Sequence, residues 1–178
     1  MWKLALVGLA LLAPCPLAAQ EPQRHTGPHE HGHGAINLAI EGNRMLVELR
    51  APGADIVGFE HPARSGEEKA AVAKAEALLR APLGLIALPA EAGCRVETAT
   101  VAVTGGAEHG HREAGHSEFR GEYVFVCDRA PAIRRIGFPY FRLFPRTGEL
   151  DVTVITAAGQ QAFEVSPAAP EIVLTRTP

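Results

Sequence analysis

The chain has 178 residues, a formal net charge of −3 and 21% charged side chains. That length supports one domain with a substantial core, and the mild acidity excludes a phosphate-backbone partner, so nucleic acid is not expected. Eight histidines stand against only three cysteines, and the placement of both carries the functional signal.

The N-terminus has the layout of a secretory leader. Lys3 supplies a positive charge, Leu4 to Ala13 is apolar, Pro14 and Pro16 break the run, and Leu17-Ala18-Ala19 offers small residues before Gln20. The apolar run falls well short of the roughly 20 residues of a membrane span, so cleavage after Ala19 is expected, with 1–19 as the leader and no membrane insertion afterwards. Loss of Lys3 moves the net charge to about −4. Cys15 leaves with the leader; its flanking prolines make it a poor lipid-attachment site. Cys94 and Cys127 remain, and an even pair in an oxidising compartment reads as a disulfide.

Residues 20–33 are polar, rich in Pro, Gly and His, and without hydrophobic period, which predicts a flexible tail. From Gly34 the pattern changes. Ile36, Leu38 and Ile40 alternate with polar or small residues, Glu41-Gly42-Asn43-Arg44 is a tight-turn signal, and Met45, Val47 and Leu49 resume the alternation. A two-residue loop sets Ile40 opposite Met45, Leu38 opposite Val47 and Ile36 opposite Leu49, all on one face. Pro52 and Gly53 end that strand, and residues 55–60 form a short apolar connector. Ser65-Gly66-Glu67-Glu68 has capping-box spacing, the alanine-rich run after it ends at Pro82, and one helix is predicted over 66–80.

The remainder reads as strands. Cys94 to Val103 and Phe119 to Cys127 pair as a hairpin with Cys94 opposite Cys127 and Val96 opposite Phe125, and residues 104–117 form the connecting loop. Further strands are expected over 136–144, 150–155 and 161–165, with 167–178 as a frayed C-terminal tail after Pro167 and Pro170. The expected architecture is a single α+β domain over 34–166: mostly antiparallel sheet, one short α-helix and one disulfide.

Six of the histidines fall in two short windows: His29, His31 and His33, then His109, His111 and His116. Glu30 accompanies the first; Glu108, Glu113 and Glu118 accompany the second. Neutral imidazole and carboxylate suit zinc. In an extended chain, residues two apart share a side, so the first three histidines can face one ion, and the glycines between them let the backbone bend. His109-Gly110-His111 has the same local form. A solvated polar tail and loop would be the reading of a single histidine; two glycine-spaced groups favour metal. Copper(II) or nickel could use the same ligands, so a copper or nickel chaperone or buffer is one alternative. A periplasmic interaction domain with incidental histidines is another. Met45 is the only methionine left after cleavage, which argues against a methionine-type copper(I) site.

His29-Glu30-His31-Gly32-His33 also satisfies H-E-x-x-H, but that chemistry needs a helix, and Pro28, Gly32 and Gly34 oppose one. His61, after Gly58-Phe59-Glu60 and before Pro62, reads either as a structural histidine in a turn or as a fixed ligand that the tail can meet; His25 reads as a bystander. No nucleophile elbow or phosphate loop is present, and the chain is not expected to be an enzyme.

These residues resemble a known family. His31-Gly32-His33-Gly34 runs into the first strand, and Ala54-Asp55-Ile56-Val57-Gly58-Phe59-Glu60-His61 comes after the hairpin. Leu88-Pro89-Ala90 precedes Gly93-Cys94, His116-Ser117-Glu118-Phe119 leads to Tyr123-Val124-Phe125-Val126-Cys127, and Leu143-Phe144-Pro145 and Gly159-Gln160-Gln161-Ala162 close the pattern. The set resembles the ZrgA-type periplasmic zinc-uptake proteins of Gram-negative bacteria. The resemblance implies a periplasmic zinc-binding protein that passes zinc to an ABC importer or its periplasmic binding protein. It carries over His31, His33, His61, His109, His111 and His116 as ligand candidates. The family's central loop is often longer and richer in His, Asp and Glu than 105–115 here, so one or two sites are expected.

Overall fold

The computed structural model describes residues 32–105 and 116–175. Among these residues, eight strands and three α-helices run in chain order: β1 (His33–Glu41), β2 (Arg44–Pro52), α1 (Gly53–Ile56), α2 (Gly66–Leu79), β3 (Cys94–Thr104), β4 (Glu118–Cys127), β5 (Arg135–Gly137), α3 (Tyr140–Leu143), β6 (Glu149–Thr156), β7 (Gly159–Val165) and β8 (Glu171–Val173). Six strands make one sheet in the order β3-β4-β2-β1-β6-β7, and β5 with β8 makes a second. The chain is α+β and mostly antiparallel, as its alternation predicts.

The β1–β2 hairpin has the expected register, with Ile40 opposite Met45, Leu38 opposite Val47 and Ile36 opposite Leu49. All six are buried. Gly42 turns the chain at φ 59°, a conformation that L side chains adopt only at a cost. The β3–β4 hairpin pairs Cys94 with Cys127 and Val96 with Phe125, then slips between Val96 and Thr98. Glu97 is the extra residue of that bulge, and its carboxylate meets Arg44. Cys94 and Cys127 are bonded, closing the end of the hairpin opposite its loop. The sheet is antiparallel except where β1 runs parallel to β6, His33 standing beside Glu149.

α2 starts on a complete capping box: the Ser65 hydroxyl accepts from the Glu68 N–H while the Glu68 carboxylate accepts from the Ser65 N–H. Its buried residues are Ala75 and Leu79, with Val72 and Leu78 half-buried beside them. That face lies against the inner face of the sheet, together with Leu85, Ile86, Ile133, Phe138 and Phe144.

Two expectations are corrected. The strand expected over 136–144 is only the three residues of β5, followed by a single turn, α3. Pro139 lacks the N–H a ladder needs, and at φ −57°, ψ −13° it leads straight into that turn. The tail expected to fray over 167–178 is tied down through Thr175: β8 pairs Ile172 with Ile136, Ile172 and Leu174 are buried, and the Leu174 N–H donates to Arg134. The domain therefore extends beyond 166. At the other end β1 begins at His33, one residue ahead of its expected start. No described helix is long and apolar enough to cross a membrane.

Candidate metal centre

The sheet brings both histidine segments to one end. β1 starts at His33, β2 ends at Pro52 and β4 starts at Glu118, and Pro52 pairs with Glu118. Thr104, the last residue of β3, pairs with Glu118 as well. The N-terminal segment and the 105–116 loop thus leave the sheet from the same end. With strands roughly 4.8 Å apart, their roots are separated by about 10–15 Å, a span that a few residues cover.

Three of the expected ligands lie among the described residues, and each has Nδ1 turned toward an oxygen. His116 Nδ1 pairs with the Glu60 carboxylate. His61 Nδ1 lies 3.0 Å from the Pro62 carbonyl. His33 Nδ1 is 3.5 Å from Glu149 Oε1, long for a hydrogen bond. In a neutral ring, an Nδ1–H donated to oxygen makes Nε2 the nitrogen with the lone pair. That is how metal-binding histidines are generally held, the second nitrogen donating to a carboxylate or carbonyl. For His61, Nε2 stands 3.7 Å from Glu68 Oε1, and the ring stacks on Phe59 at 5.0 Å between centroids. Glu68 is kept well ionised by the backbone N–H groups of Ser65 and Arg64 that hold it in the helix cap, which lowers its pKa.

The backbone around these side chains is stitched together. The Gly53 N–H donates to Ser117 O at 2.7 Å and the Ser117 N–H to Glu60 O at 3.0 Å, so α1, the 57–62 turn and the start of β4 hold one another. This positions Glu60 beside His116. Gly53 is required here, because a Cβ on it would sit 2.0 Å from Ser117 Oγ and 2.7 Å from Phe59 O.

Gly32 is gripped from both sides. Its N–H donates to Asp55 Oδ1 at 2.8 Å, and its carbonyl accepts from the Gly148 and Glu149 N–H groups at 2.8 and 2.9 Å. Its φ of 86° suits glycine. The segment expected to be a flexible tail through 33 is held at Gly32 and His33; its residues 20–31 lie outside the described residues. Asp55 is itself buried. Beneath lies an aromatic and polar layer in which the Tyr140 hydroxyl meets Thr147 Oγ1 at 3.2 Å. Burial pushes the Tyr140 phenol up, and the negative charge of Asp55 adds to that.

The sequence reading missed four acids: Glu60, Glu68 and Glu149 stand beside histidines, and Asp55 accepts from the N–H of Gly32, next to His33. Asp55 and Glu60 stood in the segment that carried the resemblance, but no periodicity marked them as site residues. Glu118, expected to serve the second cluster, is buried and turned to Arg120 instead. His29, His31, His109 and His111 lie outside the described residues, as do Glu30, Glu108 and Glu113. Among the described residues, no three His, Cys, Asp or Glu side chains converge on one ion.

The chain matches the model of a family described as ZrgA family zinc uptake protein over residues 28–174. The match begins immediately before His29 and runs to Leu174, the last buried residue among those described. No curated protein matches the chain.

Proposed function

This chain belongs to the ZrgA family of zinc uptake proteins, and from that premise we propose that it captures zinc at the histidine-bearing end of its sheet and hands it to an importer. The observation that carries this reading is the convergence at one end of the sheet: His33 and His116 root the two histidine segments there, with His61 in the turn stitched to them. The Glu60 carboxylate orients His116, and the Glu149 carboxylate lies near His33. His29, His31, His109 and His111, on the chain continuing from those roots, complete the ligand set. Zinc is cargo, so the site has to release as well as bind. Ligands drawn from two segments with partly exposed, carboxylate-backed imidazoles suit exchange better than a closed, buried four-ligand site. The recipient is an ABC importer or its periplasmic binding protein. The leader pattern and the disulfide support a periplasmic setting, and the reading includes no catalytic step.

The test is zinc titration calorimetry on the chain from Gln20 onward at about pH 7.5. Micromolar or tighter binding is expected, with a loss of at least about 100-fold when the six clustered histidines become alanine. Glu60→Gln, which removes only the carboxylate behind His116, should weaken zinc by about 10–100-fold. Because ligation requires neutral imidazole, affinity should also fall between about pH 7.5 and 5.5. Equal affinity in the six-histidine variant and the parent would overturn the proposal. Competition with copper(II) and nickel in the same cell separates cargo preference from bare affinity, which favours copper.

A further inference from the structure

The two edges of the main sheet are treated differently. Beside β7, the Gln161 carboxamide oxygen accepts from the Thr175 N–H and hydroxyl at 3.0 and 2.7 Å, so the C-terminal residues lie against that edge. The β3 edge has no such cover: among the described residues, the backbone of its 98–104 stretch bonds only to β4. An edge strand left open is a template for another strand, and proteins usually blunt it with lysine, proline or a bulge. β3 has its bulge at Glu97, before this stretch. From Thr98 onward it reads Thr-Ala-Thr-Val-Ala-Val-Thr, without a charge or a proline, and Val103 is 38% exposed.

That stretch is complementary to itself. On an antiparallel two-fold axis through Val101, Thr98 faces Thr104, Ala99 faces Val103, Thr100 faces Ala102, and Val101 faces its own copy. Each large residue on the partly buried row meets a small one or the axis, and no like charges oppose. Every pair joins residues of the same parity, so the inner face of one sheet continues into the inner face of the other. We propose that β3 is a homodimer edge, at which a second copy of this chain adds its own β3 in that register. The contact is isologous and closes after two copies. It runs along one strand only, so it is weak, with the dimer populating over roughly 10–1,000 µM. The inference does not depend on zinc.

Sedimentation equilibrium in EDTA tests it, since a dimer bridged by zinc would fall apart there. A concentration-dependent dimer is expected. Val101→Glu, which sets two carboxylates against each other on the axis, should weaken it by at least about tenfold. A second variant covers the case in which that substitution perturbs folding. Val101→Cys places two thiols on the axis with Cα atoms about 4.5–5.5 Å apart, within disulfide reach, so mild oxidation should link the copies. Thr98→Cys, about 20 Å from its own copy, should stay unlinked. A monomer at every concentration, or Thr98→Cys linking as readily as Val101→Cys, would overturn the proposal.

Discussion

Gly53→Ala is expected to destabilise the fold by about 2–3 kcal/mol and to weaken zinc binding in the molecules that remain folded. The reason is local and steric. The new Cβ would fall 2.0 Å from Ser117 Oγ and 2.7 Å from the Phe59 carbonyl, and the second of these is backbone that cannot simply rotate away. Relief requires α1 to move from the start of β4, which breaks the Gly53–Ser117–Glu60 chain of hydrogen bonds and with it the pairing of Glu60 with His116. Gly66→Ala is the control. It lies at the exposed start of α2 with no atom within 4 Å of the added carbon, so it should be neutral or slightly stabilising. Urea unfolding of the two variants checks the contrast. If Gly53→Ala unfolds within about 0.5 kcal/mol of Gly66→Ala, α1 and β4 do not approach as closely as Gly53 requires.

Replacing Cys94 and Cys127 together by alanine should cost about 3–4 kcal/mol, as expected from the chain-entropy model for a bridge of this sequence separation. The bond lies at the end of the β3–β4 hairpin opposite the histidine loop. Stability and zinc affinity should therefore separate: a large loss in urea, but a zinc dissociation constant within about threefold of the parent under conditions where both are folded. A variant that keeps its stability, or that loses zinc without urea while remaining folded, would show that the bond acts differently. Gly53→Ala perturbs both properties and the cysteine pair perturbs one, so the two variants together distinguish general weakening from damage at the site.

Much of the fold was legible because it is local. The β1–β2 register follows from a two-residue turn and a period of two, and the start of α2 from a serine three residues ahead of a glutamate. The bulge went unread, with 94–103 taken as a regular strand, although the apolar positions run Cys94, Val96, then Ala99, Val101 and Val103, a change of parity that marks an inserted residue. The parallel neighbour of β1 was not legible, because alternation says which face a strand buries and nothing about which strand lies beside it. Pro139 could have warned that a nine-residue strand was too long. The histidines were found by their clustering, whereas Glu60, Asp55 and Glu149 reach their partners from distant segments, and no spacing rule connects Glu60 to His116 or Asp55 to Gly32. The register of the sheet had to be known first.

The parallel β1–β6 ladder also sets an order of events in folding. His33 pairs with Glu149, and the Gly32 carbonyl takes its hydrogen bonds from Gly148 and Glu149, so the first described residues are anchored by a segment near the far end of the chain. The β1–β2 hairpin can form at once, but this long closure carries a loop entropy that slows it. Zinc competence should therefore arrive late, with the slowest refolding phase. Tyr123 and Tyr140, both buried, report closure of the core by their fluorescence, and a zinc-sensitive dye reports capture in the same mixing experiment. Capture complete before the tyrosines are buried would show that the histidine segments assemble without the sheet; capture that waits for them would mean that a chain stalled before β6 is blind to zinc.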